Sequence, residues 1–148
     1  MAPVSVESKA RELADVMSLC KPTRAVSDMA STYDRRGGNM DWWTFPAPFD
    51  GKELYEVVNL KGPGCLTRIW MTNVNATEWL FFFDGEAEAR ICLTPDELFG
   101  NDLPWSPLVG KFSGAAYSYL PLPYEKSLRV AIRVPKRNPQ TDRHLHPP

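Results

Sequence analysis

The chain has 148 residues, of which 43% are hydrophobic and 24% charged, and its formal net charge is −1. This length fits a single domain that buries about 70% of its unfolded surface. The near-neutral charge excludes a strongly basic nucleic-acid-binding surface, and no apolar run approaches the roughly 20 residues that span a bilayer, so we expect neither a nucleic-acid nor a membrane partner.

The N-terminal segment predicts one helix, near residues 6–20. Its apolar residues recur at three- and four-residue steps, as on a helix face that packs against a sheet. They are Val6, Ala10, Leu13, Met17 and Cys20. Glu7 and Arg11 are one turn apart and can pair, and Pro22 ends the helix. Because no apolar core follows a basic start, we expect no signal peptide and a cytoplasmic location.

From residue 53 onward the hydrophobic period changes to two, which predicts strands with one buried and one wetter face. The segments with this alternation are CLTRIWMT, EARICLTP and SLRVAIRV. In the first of them, Cys65, Ile69 and Met71 point to one face, opposite Leu66, Arg68, Trp70 and Thr72. The segment ELYEVVNL is a weaker case, because Glu56 interrupts its apolar face.

Asp84-Gly85 is the strongest hairpin signal, so WLFFFDGEAEARICL predicts a strand, a tight turn and a second strand. The run Phe81-Phe82-Phe83 suits a strand that is covered on both faces. No helical period separates the strands, which argues against parallel βαβ units. The prediction is an all-β fold, an antiparallel jelly-roll-like β-sandwich with one N-terminal helix, forming a single domain over residues 1–134.

Residues 135–148 hold four prolines and a single aliphatic residue, Leu145, which predicts a disordered tail. His144 and His146 lie two residues apart without a cysteine or carboxylate cluster nearby. The three cysteines, Cys20, Cys65 and Cys92, lack metal-ligand spacing. We therefore expect reduced thiols, no metal site and no cofactor.

Residues 31–43, STYDRRGGNMDWW, concentrate hydrogen-bonding side chains between aromatic residues. One interpretation is a tight turn at residues 37–39 that needs positive φ, with Tyr33 and Trp42 filling the core beside it. In this interpretation Asp34 and Arg35 merely pair with each other or with the backbone. The other is a sugar site, since Asp, Asn and Arg bind adjacent hydroxyls while an aromatic ring covers the apolar sugar face. The candidate substrate-binding residues are Tyr33, Asp34, Arg35, Asn39, Asp41 and Trp42.

An ordered series of segments resembles glycoside hydrolase family 172 over roughly residues 28–134. The segments are STYDRRGGNMDWW, KGPGCLTRIWMT, FFFDGE, PDELFG and YLPLPYEKSLRVAI. The resemblance implies a double jelly-roll enzyme that acts on fructofuranosides or arabinofuranosides, with a pair of glutamates for retaining chemistry. It also implies a homo-oligomer with the active site near a subunit contact.

The resemblance covers only the first jelly roll and ends at Val134, whereas the glutamate pair of the family belongs to a later region. We therefore expect a truncated protein that has no measurable glycosidase activity alone. Within the chain, Asp34 and Asp41 share one loop, and Glu86 and Glu88 flank the predicted hairpin. Nothing in the sequence places either pair across a cleft at the roughly 5–5.5 Å of a retaining enzyme.

Two alternatives remain beside the hydrolase. One is a non-catalytic carbohydrate-binding jelly roll, which the same loop supports, and the other is a structural module for oligomer assembly. Turnover of an aryl furanoside separates the hydrolase from both. Sugar binding measured by calorimetry separates the binding module from the assembly module.

Overall fold

A computed structural model of the chain describes residues 5–22, 24–38, 54–72 and 76–134. The helical elements are α1 (Val6–Ala14), a 3-10 helix (Val16–Cys20) and α2 (Pro95–Phe99). The strands are β1 (Leu54–Lys61), β2 (Gly64–Leu66), β3 (Ile69–Thr72), β4 (Glu78–Phe83), β5 (Ile91–Leu93), β6 (Val109–Phe112), β7 (Ala115–Ser118), β8 (Leu122–Tyr124) and β9 (Ser127–Arg133). Within these ranges, neither α-helix has the length and apolar content needed to cross a bilayer. The predicted disordered tail, 135–148, lies outside the described residues.

In the described part of the chain, the strands form a four-stranded, a three-stranded and a two-stranded sheet. Their strand orders are β1-β9-β4-β5, β3-β7-β6 and β2-β8, and every pairing is antiparallel. This arrangement confirms the predicted antiparallel all-β fold with a helix at the N-terminus. The short helix α2 was not predicted.

The hydrophobic core is centred on the two middle strands of the four-stranded sheet, β4 and β9. Phe81, Leu128 and Val130 are at most 1% exposed and pack against partly buried residues of β1, β3 and β8. On the other face of the same sheet, Phe82 joins a smaller buried cluster with Leu54 and Ala131. The predictions of an alternating β9 and of a phenylalanine run covered on both faces are therefore confirmed.

The N-terminal helix is shorter and more exposed than predicted. Asp15 has extended backbone angles, so α1 ends at Ala14, and the Asp15 side chain caps the 3-10 helix by accepting a hydrogen bond from the N–H of Met17. Three residues per turn replace 3.6 at this point, which removes Met17 from the predicted apolar stripe. Leu13 and Met17 are 51% and 65% exposed. The predicted pair of Glu7 and Arg11 is confirmed, at 2.7 Å.

The turn at Asp84-Gly85 forms as predicted, with φ angles of 55° and 89°, but it does not join β4 to β5 as a two-residue hairpin. Phe81 pairs with Ile91, so residues 82–90 connect the two strands, and Phe83 pairs with β9 instead. The cause is a long-range contact. Asp84 accepts hydrogen bonds from three backbone N–H groups of residues 125–127, which draws the turn towards the β8–β9 connection.

The predicted strand CLTRIWMT is divided into two, because β2 pairs with β8 and β3 pairs with β7. Thr67 and Arg68 lie in the break between them. The break changes the phase of the alternation, so Leu66 packs against the core on the same side as Ile69 and Met71. The expectation that Leu66 lies opposite Ile69 is therefore wrong, whereas the exposed position of Trp70 is confirmed.

Candidate functional site

Residues 31–38 form a turn that is organised by Asp34. Its Oδ1 accepts a hydrogen bond from the N–H of Arg36 at 2.9 Å, and its carbonyl accepts one from the N–H of Gly37 at 3.0 Å. Gly37 has a φ of +77°, a conformation that favours glycine. A Cβ atom at Gly38 would lie 2.6 Å from Oδ2 of Asp34. The turn therefore favours glycine at position 37 for its backbone conformation, and at position 38 the backbone lies directly beside the Asp34 carboxylate.

The same turn holds an exposed aromatic ring. The guanidinium carbon of Arg35 lies 4.3 Å from the centroid of the Tyr33 ring. Arg35 also donates hydrogen bonds to the carbonyl of Tyr33 at 2.7 Å and to the carbonyl of Ser31 at 3.1 Å. Tyr33 remains 54% exposed. These contacts fix the orientation of the ring while leaving a large part of it open to solvent.

The segment that leads into the turn lies beside the four-stranded sheet. Residues 28–30 and residues 56–60 of β1, the edge strand of that sheet, line a cleft of about 280 Å³. The pairing of β1 with β9 shifts register between Glu56 and Val58, at the position where Glu56 interrupts the apolar pattern. The chain just before the turn therefore shares a cleft with the bulged edge strand.

Three of the predicted site residues, Tyr33, Asp34 and Arg35, meet in this turn. The other three, Asn39, Asp41 and Trp42, lie outside the described residues, so their convergence on a common pocket stays a prediction. Two parts of the alternative interpretation are confirmed, the positive φ of Gly37 and the hydrogen bonds of Asp34 and Arg35 to the backbone. Its placement of Tyr33 in the core is wrong, because more than half of the surface of Tyr33 is exposed.

The other segments of the resemblance have clear structural roles. In PDELFG, Phe99 is fully buried and its ring meets Trp79 edge to face, with centroids 5.5 Å apart. In KGPGCLTRIWMT, the N–H of Gly62 donates to the carbonyl of Lys126 at 2.8 Å. Asp84 of FFFDGE anchors residues 125–127 of the fifth segment. Core packing and turn formation account for these residues.

By contrast, every described side chain of residues 31–38 is exposed or only half-buried. The turn therefore contributes little to the hydrophobic core, although its backbone and side chains are closely arranged. Polar residues that are ordered without serving the core are typical of binding sites.

Three carboxyl groups elsewhere in the domain have lowered pKa values. The pKa of Asp84 is lowered chiefly by the hydrogen bond from the N–H of Lys126, that of Glu86 by the side chain of Arg90, and that of Glu97 by the N–H of Thr94. The general acid of a glycosidase needs a raised pKa, so that it is protonated when it meets the substrate. These three groups are therefore unsuited to that role.

Across the described ranges, no group of three or more His, Cys, Asp or Glu side chains could hold a metal ion. The nearest ionic contacts of the carboxylates are instead with basic side chains. Glu78 accepts a hydrogen bond from Nε of Arg133 at 2.7 Å, and Asp96 pairs with Lys111.

A comparison with known protein families identifies the family of this chain. A model of the GH172 first beta-sandwich domain matches residues 23–143. The chain belongs to this family. The match confirms the resemblance and the predicted β-sandwich, and it contains the turn at 31–38 and all the described strands. It reaches residue 143, beyond Val134 where we expected the resemblance to end. No curated protein matches the chain.

No candidate residue in β6 or β7 was predicted from the sequence, although β6 and β3 carry the exposed aromatic side chains Phe112 and Trp70. The available signal was the segment AAYSYL, in which Tyr117 and Tyr119 are two residues apart and would share one face of a strand. Trp70 was placed on the wetter face of its strand. That these rings belong to one surface depends on the strand pairing, which the sequence does not reveal.

Proposed function

We propose that this GH172 domain is the carbohydrate-binding first sandwich of a retaining furanoside hydrolase. The proposed ligands are fructofuranosides or arabinofuranosides, and the turn at 31–38 forms part of their site. The observation that carries the proposal is the turn itself, in which an exposed ring, a carboxylate and a guanidinium are ordered without serving the core. Membership of the GH172 family supports the choice of a sugar.

The chemistry of the turn suits a furanoside. Adjacent sugar hydroxyls both donate and accept hydrogen bonds, so Asp34 can accept from one hydroxyl while Arg35 donates to its neighbour. The Tyr33 ring offers a flat apolar surface for the C–H groups of the sugar. Because the Arg35 guanidinium covers part of the ring, the ligand is expected on the remaining open surface.

We also propose that the acid and the nucleophile of the reaction come from outside this domain. For the acid, the lowered pKa values of Asp84, Glu86 and Glu97 support this, since each stays ionised where an acid must be protonated. We expect the pure 148-residue chain to show no measurable hydrolysis of an aryl furanoside. Robust turnover that is abolished by substituting a carboxylate of this chain would contradict the proposal.

Substitutions at Asp34 test the sugar site. Asp34→Asn keeps a side-chain oxygen that can accept from the N–H of Arg36, so the turn is retained while the charge is lost. Hydrogen bonds to a charged group contribute about 1.5–3 kcal/mol, so we expect the affinity for inulin-derived or arabinan-derived oligosaccharides to fall roughly tenfold or more by calorimetry. The melting temperature should be nearly unchanged.

Asp15→Asn is the matched control, because Oδ1 of Asp15 accepts a hydrogen bond of the same kind, from the N–H two residues later (Met17, 3.0 Å), away from the turn and its cleft. This variant should bind like the wild type. Asp34→Ala removes the acceptor as well as the charge. The sugar site would be refuted if Asp34→Asn bound normally while Asp34→Ala lost stability and binding in parallel.

A homo-oligomer is the second part of the proposal, supported by the exposed apolar residues of the N-terminal segment. Leu19, Val26 and Met29 are 84%, 95% and 81% exposed. Exposed apolar surface of this kind marks protein contacts. Light scattering tests the oligomer by measuring the mass of the wild type and of Leu19→Ser, and we expect a mass larger than one chain for the wild type. A wild-type mass of one chain would contradict the proposal.

A further inference from the structure

The outward face of the three-stranded sheet carries a set of aromatic side chains. The register places Trp70 of β3 opposite Tyr117 of β7, and Tyr117 opposite Gly110 of β6. Directly opposed residues share a face, as do residues two apart on one strand, so Phe112 belongs to the same surface. Tyr119, just beyond β7, joins this surface through its ring contact with Tyr117. We refer to Trp70, Phe112, Tyr117 and Tyr119 as the aromatic face.

The central rings of the aromatic face are held in place by the protein itself. The hydroxyl of Tyr117 donates to the carbonyl of Pro107 at 3.3 Å, and its ring lies over Gly110, where a Cβ atom would meet it at 2.8–2.9 Å. The rings of Tyr117 and Tyr119 have centroids 5.7 Å apart. The Arg68 guanidinium lies 5.6 Å from the Tyr119 centroid. Rings that are ordered before binding lose little entropy when a ligand stacks on them.

The exposure of this face distinguishes it from the other outer surface of the sandwich. Trp70, Phe112 and Tyr119 are 56%, 64% and 37% exposed. On the outward side of the four-stranded sheet, by contrast, the Arg129 guanidinium covers Phe82, and Arg133 pairs with Glu78. Of these two outward sheet faces, that of the three-stranded sheet therefore carries the exposed apolar side chains.

The size of the aromatic face favours a ligand over a protein partner. Large aromatic side chains offer about 150–250 Å² each, so three that are about half exposed present roughly 300 Å². A stable protein interface buries about 800 Å² on each partner. The diagonal from Trp70 to Phe112 crosses two strand spacings and two residues, or about 12 Å, which is long enough for more than one sugar unit.

We propose that the aromatic face binds a furanoside oligosaccharide, as a second carbohydrate-binding surface that shares no residue with the turn at 31–38. The choice of a carbohydrate rests on the proposed function, whereas the position of the surface rests on the strand register and exposure. The rings of Trp70 and Phe112 receive the apolar faces of the sugars. Arg68 and the hydroxyl of Tyr119 supply hydrogen bonds at the rim.

Affinity electrophoresis of the 148-residue chain in native gels that contain inulin or arabinan tests the proposal. We expect Trp70→Ala to weaken retardation by one of these polymers roughly tenfold, and Trp70→Tyr, which keeps a ring, to restore most of it. Phe112→Ala should weaken it as well, which provides a second variant if Trp70→Ala fails to fold. Trp105→Ala is the matched control, because Trp105 is a 40% exposed indole outside the strands, and it should migrate like the wild type.

The outcomes separate this proposal from the proposed function. If Asp34→Asn weakens retardation and both aromatic-face variants migrate like the wild type, the aromatic face is not a binding surface. If the aromatic-face variants weaken retardation and Asp34→Asn does not, the aromatic face binds the sugar and the turn at 31–38 does not. If neither polymer retards the wild type, both the sugar site at the turn and the aromatic face are overturned. Conversion of an oligomer to single chains by Trp70→Ala, measured by light scattering, would make the face an interface between copies and overturn the proposal.

Discussion

Gly110→Ala tests the close contact between β6 and β7 on which the aromatic face depends. The added methyl group would approach the Tyr117 hydroxyl and ring at 2.8–2.9 Å, so the ring must move or the strands must separate. Overpacking of this kind costs about 1–3 kcal/mol. In a strand without such a neighbour, the same substitution is expected to stabilise by about 0.5–1 kcal/mol, because glycine loses more conformational freedom on folding.

A double-mutant cycle isolates the contact. In a Tyr117→Ala background the ring is gone, so Gly110→Ala should become neutral or stabilising, with a coupling energy of about 2–3 kcal/mol between the two sites. Urea unfolding measures it, since 2 kcal/mol corresponds to a midpoint shift of about 1 M. Equal effects of Gly110→Ala in both backgrounds would show that the ring does not lie on Gly110.

Three other predictions concern stability. Phe99→Ala should lower the free energy of unfolding by about 3–5 kcal/mol, because Phe99 is fully buried against Trp79, whereas the control Phe112→Ala on the surface should change it by less than about 0.5 kcal/mol. Folding lowers the pKa values of Asp84, Glu86 and Glu97. These carboxylates therefore stabilise the folded state above their unfolded pKa near 4, and this stabilisation is lost as the pH falls through their folded pKa values. The midpoint of urea unfolding should therefore decrease at pH values below about 4, and it should decrease less steeply with pH in Asp84→Asn. An equal dependence of the midpoint on pH in both proteins would contradict this. Gly37→Ala should strain the turn by about 1 kcal/mol through its φ of +77° and weaken sugar binding, and unchanged binding would show that this conformation is not needed.

The parts of the fold that were predictable depend on neighbours in sequence. The alternation of β9 and the buried phenylalanine run of β4 follow from periodicity, because the core selects one face of each strand. The positive φ angles of Asp84 and Gly85 follow from turn chemistry. Turn chemistry likewise predicted the turn at Gly37 and Gly38.

The errors came from contacts between distant parts of the chain. Asp84 bonds to backbone groups about forty residues away, and this contact prevented the simple hairpin. The apolar stripe of α1 showed which side could be buried, but not whether another element covers it. For the same reason, Tyr33, Asp34 and Arg35 could be proposed together from one segment, whereas Trp70 and Tyr117 meet only through strand pairing.

The most direct test of the account is an NMR titration of the ¹⁵N-labelled chain with an inulin-derived oligosaccharide. If the turn at 31–38 binds the sugar, the backbone amides of Arg36 and Gly37, which bond to Asp34, should shift progressively and saturably. The amides of the exposed helix α1 serve as the internal reference and should not move. Saturating sugar that leaves every amide of residues 31–43 unshifted would contradict the central claim.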